Sequence, residues 1–237
     1  MPKTLIIFPT YNEAENIRDI VNAVLAISPD IDVLVIDDNS PDKTYEIVAE
    51  MAKENKRINL IKREKKLGLG TAYILGFKYA IEKNYDYCFE MDADFSHNPQ
   101  DIPRFLALMN EYDLVIGSRY ISGISVVNWP LKRLLLSYFA NIYARIFTGC
   151  PIKDLTSGFK CYKVSALKKI DLDKLKMDGY AFQIEIHWHF WKNNFKIKEI
   201  PIIFVERRSG ESKMSKRIIR QAFFFVLKLF FKRLFNL

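Results

Sequence analysis

Tyr85-Asp86-Tyr87-Cys88-Phe89-Glu90-Met91-Asp92-Ala93-Asp94-Phe95-Ser96 runs from an aromatic segment straight into two carboxylates one residue apart. The first half reads as a short buried strand, and Ser96-His97-Asn98-Pro99 stops it and starts a turn. In open α/β sheets, ligands bind outside the carboxyl ends of the strands. Asp92 and Asp94 are hard oxygen donors, suited to Mg²⁺ or Mn²⁺, and such sites let substrate phosphates complete the coordination shell. A D-x-D pair taken alone is also compatible with two solvated turn residues, so its weight depends on the surrounding chain.

Outward from this point, strand and helix alternate. Thr4–Phe8 is a continuous apolar run, the mark of a strand covered on both faces, and Val33–Ile36, Ile58–Ile61, Tyr85–Glu90 and Asp113–Gly117 read as further strands. Helical patterns follow at 14–27, 43–54 and 70–83. The order predicts an α/β fold, a mostly parallel sheet with helices on both faces. Beyond Arg119 the pattern predicts helices at 130–147 and 182–192, a strand at 196–205 and a polar loop at 206–215. No linker or repeat divides the chain, so residues 1–215 are expected to form one domain, followed by a basic amphipathic helix at 216–237.

Composition sets limits. The chain has 237 residues, 49% hydrophobic and 27% charged, which fits a folded globular protein and excludes disorder. Cys88, Cys150 and Cys161 form no C-x-x-C pair and read as reduced thiols of an intracellular protein. No basic-then-apolar leader precedes the first strand, so no secretory signal is expected. The net charge is +8, yet residues 206–237 alone hold nine Lys or Arg against two Glu. Charge gathered in one segment among Phe and Leu points to an anionic membrane surface and away from nucleic acid. Lys228, Lys232 and Arg233 interrupt that segment, which falls short of the roughly 20 apolar residues a spanning helix needs. It reads either as an interfacial helix, docking on lipid or on a small membrane subunit, or as a terminal helix packed on the domain.

Other motifs carry less. Gly68-Leu69-Gly70 lacks a glycine at Tyr73 and follows the third strand, which excludes a dinucleotide fingerprint. Backbone N–H groups at Gly68 still suit an approach to a nucleotide. Asp37-Asp38 closes strand two on the same sheet edge as Asp92 and Asp94, and one of its carboxylates suits a base or ribose. Pro9-Thr10-Tyr11-Asn12-Glu13 closes strand one there as well. His187 and His189 share no helix face, which argues against zinc.

Taken together, P-T-Y-N-E-A-E-N (9–16), V-I-D-D-N-S-P-D (35–42), K-L-G-L-G-T-A (66–72), M-D-A-D-F-S-H (91–97) and S-R-Y (118–120) resemble the family 2 glycosyltransferases of GT-A fold. Trp129–Arg133, Asp154–Phe159, Gly179–Glu185 and Gly210–Lys213 are similar to the catalytic subunits of dolichyl-phosphate (polyprenyl-phosphate) mannose synthases. The resemblance spans nearly the whole chain. It implies metal-dependent inverting transfer of mannose from GDP-mannose to a polyprenyl phosphate, with Mg²⁺ or Mn²⁺ as cofactor. By position it assigns Pro9, Tyr11, Glu13 and Asp38 to the nucleotide, and Asp92 and Asp94 to the metal. Ser96 stands where the family often has Gln, a weaker ligand that water would supplement. Arg119, Arg133 and Ser137 match positions for the acceptor phosphate, and Arg207 and Lys213 a loop that closes over the site. Many relatives carry transmembrane helices after this domain; this chain ends at Leu237 without them, so a peripheral location on the cytoplasmic face of a membrane is expected. A UDP-sugar donor or a hydroxyl acceptor is the alternative. The latter requires a carboxylate base, for which Glu185 and Asp154 are the candidates. A non-enzymatic basic binder is the remote third reading.

Overall fold

The structure, a computed structural model, describes residues 2–206 and 216–235. Strands β1 (Thr4–Thr10), β2 (Ile31–Asp37), β3 (Ile58–Lys62) and β4 (Tyr87–Glu90) alternate with helices α1 (Ile17–Leu25), α2 (Thr44–Glu54) and α3 (Leu69–Glu82). Then come α4 (Ile102–Leu106), β5 (Leu114–Ser118), β6 (Val126–Val127), α5 (Leu131–Thr148), β7 (Lys160–Lys163) and α6 (Val164–Leu167). The chain continues through α7 (Gly179–Lys192), β8 (Ile197–Pro201), β9 (Phe204–Val205) and α8 (Lys216–Leu234).

A seven-stranded sheet has the order β3-β2-β1-β4-β7-β5-β8. The pairs β1–β2, β1–β4, β2–β3 and β5–β8 are parallel, which puts the carboxyl ends of six strands on one edge. β7 runs antiparallel between β4 and β5 and delivers its amino end, Lys160, to that same edge. The sheet is buried on both faces, and the side chains of β1 alternate accordingly. Leu5 and Ile7 join the core under α3, α7 and α8, while Ile6 and Phe8 join the core under α1, α2 and α4. β2 repeats this with Leu34 and Ile36 against Val33 and Val35.

The structure adds two short helices the sequence pattern did not show, α4 and α6, and departs from it further in the second half of the chain. The single strand expected at 196–205 is two: β8 extends the main sheet, and β9 pairs with β6 in a separate two-stranded sheet. Pro201, which lacks the N–H a continuing ladder needs, ends the first of them. β7 was not expected; its four residues begin with a lysine and show no alternation. α7 starts at Gly179, three residues earlier than the apolar pattern indicates.

α5 opens directly after Pro130 and stops at Gly149, whose φ of 73° takes the left-handed conformation that ends helices without a Cβ penalty. α8 packs on α5 and α7. Val226 and Leu229 are buried in the core, and the Tyr143 hydroxyl donates to the Phe223 carbonyl at 3.1 Å. No helix among the described residues is long and apolar enough to cross a membrane.

Candidate active site

The sheet edge opens into a cleft of ≈ 360 Å³. Its walls come from residues that follow β1 (Pro9, Tyr11, Glu13), β2 (Asp38), β3 (Arg63) and β4 (Asp92, Asp94). These lie at the β1/β4 centre of the sheet, from which successive strands extend in both directions, the usual place for a ligand crevice.

One half of the cleft is built around Asp38. Its Oδ1 is ion-paired with the buried Arg63 guanidinium, and its Oδ2 accepts from the Leu67 and Gly68 N–H groups at 3.2 and 3.4 Å. Arg63 also donates to the Gly68 carbonyl at 2.9 Å and to the Thr71 hydroxyl at 2.7 Å. A cation and an anion thus pin the glycine loop to the sheet edge. Gly68 has φ of 99°, and a Cβ there would lie 2.5 Å from the Asp178 carboxylate, so only glycine fits. Asp178 meanwhile accepts from the Gly70 N–H at 2.9 Å, at the amino end of α3. The Lys66 ammonium sits 3.8 Å over the Tyr11 ring, at the cleft mouth. Asp37 is placed differently from the sequence expectation. It is fully buried and absent from the cleft wall, and its carboxylate accepts from Thr10 (2.8 Å) and from the Ser40 N–H and hydroxyl (2.8 and 2.6 Å). Its role is to hold the ends of β1 and β2 together.

The loop after β4 turns sharply. Phe95 has φ of 60°, a left-handed conformation costly for a bulky residue, and Asp94 Oδ1 accepts from the Ser96 N–H at 3.0 Å. Asp92 and Asp94 both face the cleft. Ser96 Oγ is buried without a hydrogen-bond partner. Ser96 itself does not line the cleft, contrary to the sequence expectation, so the two carboxylates are the hard donors the cleft wall offers a divalent cation. Among the described residues no cluster of three or more His, Cys, Asp or Glu exists, so phosphate oxygens and water would complete the shell. His97, unassigned from sequence, braces this loop. Its Nδ1 accepts from the Asp92 N–H at 3.1 Å, and its ring stacks on Phe159 at 4.8 Å. Burial pushes its pKa down to about 4, so the imidazole is neutral.

The other half of the cleft is built around two arginines, each paired with a carboxylate. Arg119 grips Asp154 with two charge-assisted bonds of 2.7 and 2.6 Å and donates to Thr156 at 2.8 Å. Burial alone would lower its pKa, but Asp154 more than offsets this and raises it. Arg133 lies over the Trp129 ring at 4.1 Å and donates to Glu206. Ser137 does not reach this cleft. It accepts from the Tyr120 hydroxyl at 2.8 Å and lines an adjoining apolar groove of ≈ 250 Å³ between α5 and α8. Arg133, Thr156 and Tyr180 line both cavities, so the two adjoin along a shared wall. Arg207 and Lys213 lie outside the described residues.

The two carboxylates considered as bases are already engaged. Asp154 holds Arg119, and Glu185 accepts from the Lys176 and Met177 N–H groups at 3.0 Å each, away from the cleft. Burial pushes the Glu185 carboxyl up from its usual range. Sequence reasoning missed Arg63, His97, Asp178 and Gln183 in the cleft wall. Of these, only His97 carried a local signal, its place three residues after Asp94.

A family model described as glycosyl transferase family 2 matches residues 5–171. Polyprenol monophosphomannose synthase of Mycolicibacterium smegmatis is 44% identical over 224 residues, covering 94% of this chain and 84% of its own. Undecaprenyl-phosphate mannosyltransferase of Micrococcus luteus is 42% identical, covering 93% and 90%. Among solved structures, glucosyl-3-phosphoglycerate synthase of Mycobacterium tuberculosis, in complex with Mn²⁺, UDP-glucose and phosphoglyceric acid, superposes with a TM-score of 0.73 at 16% identity, covering 97% of this chain and 80% of that one. At that identity the likeness establishes the GT-A fold alone.

Proposed function

Because the chain belongs to glycosyl transferase family 2, we infer that it transfers mannose from GDP-mannose to a polyprenyl phosphate, with inversion at the anomeric carbon. One observation carries the choice of acceptor: the arginine-lined end of the cleft adjoins an apolar groove, with Arg133, Thr156 and Tyr180 lining both. An amphiphile with a phosphate head and a hydrocarbon chain matches that pair of cavities, whereas a sugar hydroxyl has no use for the second. The names of two relatives above 40% identity support the same reading.

The nucleoside lies against Tyr11, Glu13, Asp38 and the Gly68 loop. A divalent cation held by Asp92 and Asp94 would stabilise the leaving diphosphate electrostatically. The acceptor oxygen is already ionised near neutral pH, so no general base is required. That agrees with the engagement of Asp154 and Glu185 in structural bonds. The difficulty is bringing two anions together, and the protein's answer is fixed positive charge. Arg133 offers its guanidinium at the junction of cleft and groove, and Arg119 is locked by Asp154 so that it cannot swing away.

The outer faces of α5 and α8 support a peripheral membrane location. Leu131, Phe139 and Ile146 on α5, Phe224 and Leu234 on α8 and Phe235 just after it are exposed, interleaved with Lys132, Lys228 and Lys232. A small membrane-anchoring subunit is the other partner this surface suits. Purified protein, Mn²⁺ or Mg²⁺, a panel of nucleotide sugars and a short polyprenyl phosphate test the proposal. Transfer is expected from GDP-mannose alone and to the phosphate alone. Preferred use of UDP-glucose, or of a hydroxyl acceptor, overturns it.

A further inference from the structure

Beneath the cleft lies a buried ion pair that the mechanism above does not use. Lys160 opens β7 and Glu90 closes β4; the two face each other across the antiparallel ladder. Both are fully buried, with Lys160 Nζ 3.0 Å from Glu90 Oε2. Removing two charges from water costs several kcal/mol per ion, and well-packed apolar residues would serve stability as well or better. A third member gives the pair a purpose. Lys160 donates to Gln183 Oε1, and Gln183 Nε2 donates to Glu90 Oε2 at 2.9 Å.

An isolated glutamine amide is free to present either end. Here an ammonium, which only donates, faces one end, and a carboxylate, which only accepts, faces the other. The amide is therefore fixed with its oxygen toward Lys160 and its nitrogen toward Glu90, and Nε2 retains a second hydrogen. Gln183 is one turn into α7, past Gly179 and Tyr180, and all three line the cleft. The same cluster adjoins the metal loop: Gly158, two residues before Lys160, sits so that a Cβ on it would be 3.9 Å from both Asp92 carboxylate oxygens. The Lys160 ammonium is lowered by burial but supported by Glu90, Asp154 and Asp92, which places it within the field of the site's carboxylates.

On the reading given under Proposed function, the nucleoside, the diphosphate and the acceptor phosphate each have their walls. The transferred sugar lies between the last two, and the remaining wall is the start of α7. We propose that Gln183 is a specificity-determining residue whose amide N–H donates to a hydroxyl of the transferred sugar, with the Lys160–Glu90 pair as the positioning device that fixes its orientation.

The test compares the sugar nucleotide with the bare nucleotide. Gln183→Met keeps length and removes both polar ends. With Mn²⁺ present, its affinity for GDP-mannose should fall about tenfold, the loss of one directed hydrogen bond, while its affinity for GDP stays within about twofold. Discrimination between GDP-mannose and GDP-glucose should narrow in parallel. Equal losses for GDP and GDP-mannose, or no loss, overturn the proposal. Should that variant not fold, Glu90→Gln combined with Lys160→Met removes both charges while keeping Gln183. The same selective loss is expected, and an unchanged GDP-mannose to GDP ratio overturns it. The wild type is measured first. If it prefers another nucleotide sugar, the donor reading fails, and the Gln183 comparison is made with that sugar nucleotide and its own diphosphate.

Discussion

Asp94 is the residue on which the metal reading rests most directly. Its carboxylate faces the cleft and also caps the turn at Ser96. Asp94→Ala should lower metal-dependent transfer by about a hundredfold or more, with the melting temperature and far-UV circular dichroism little changed. Undiminished turnover removes the cation from the reaction. Glu206 makes a subtler case. It occupies the Arg133 guanidinium that the acceptor phosphate is proposed to use, so substrate and side chain compete for one partner. Glu206→Gln should lower the acceptor KM roughly three- to tenfold and leave the donor KM unaltered, because a neutral amide is a weaker competitor than a carboxylate. An unaltered acceptor KM assigns Glu206 to structure alone. Asp92, Asp94, Asp38 and Tyr11 were legible in the sequence because each follows a strand that ends on the same edge. Arg63, Asp178 and Gln183 were not, because their partners lie 25, 108 and 93 positions away, and no local pattern encodes such a pairing.

At the level of elements, the alternation from β1 to β4 was readable because each strand has a mostly apolar centre and the helices between them bury one stripe. β7 escaped because the ladder around it, not its own four residues, makes it a strand. Lys160, its first residue, is accommodated at full burial by Glu90 and Gln183. α8 divides its residues in a way sequence periodicity left open. Phe225, Val226 and Leu229 enter the core, while Phe224 and Phe231 stay exposed. The helix therefore packs on the domain through its inner face and leaves an outer face exposed. Substituting the inner face, as in Leu229→Ala, should cost about 2–5 kcal/mol of stability with vesicle binding retained in the folded fraction. Phe224→Asp together with Phe231→Asp should leave the urea midpoint nearly unchanged and weaken flotation with anionic vesicles at least about tenfold. Equal flotation of that variant and the wild type transfers the outer face to a protein partner.

The molecule as a whole is set against acid by its histidines. Burial lowers the pKa of all three, His97 to about 4 and His187 well below its usual range, with His189 lowered less. They belong to different parts of the fold: His97 to the metal loop, His187 to the α7 core under Leu155, and His189 to the far side of α7 near Lys192 and Lys232. In the unfolded chain each takes up a proton near pH 6.5, whereas in the native protein each stays neutral to lower pH. Unfolding therefore binds protons throughout that window, and stability, fully present above about pH 6.5, declines as the pH falls toward 4. For His97 the difference between 6.5 and about 4 corresponds to roughly 3 kcal/mol. Most carboxylates contribute below about pH 5, and Glu185, raised by burial, acts in the opposite sense, so a fall between about 6.5 and 5 reports the imidazoles. Urea midpoints taken across that interval should fall continuously, by an amount reduced in His187→Gln, which removes one of the titrating groups. A flat midpoint down to pH 5 would mean that the histidines charge in place, and that the loop holding Asp92 opens to solvent before the fold does.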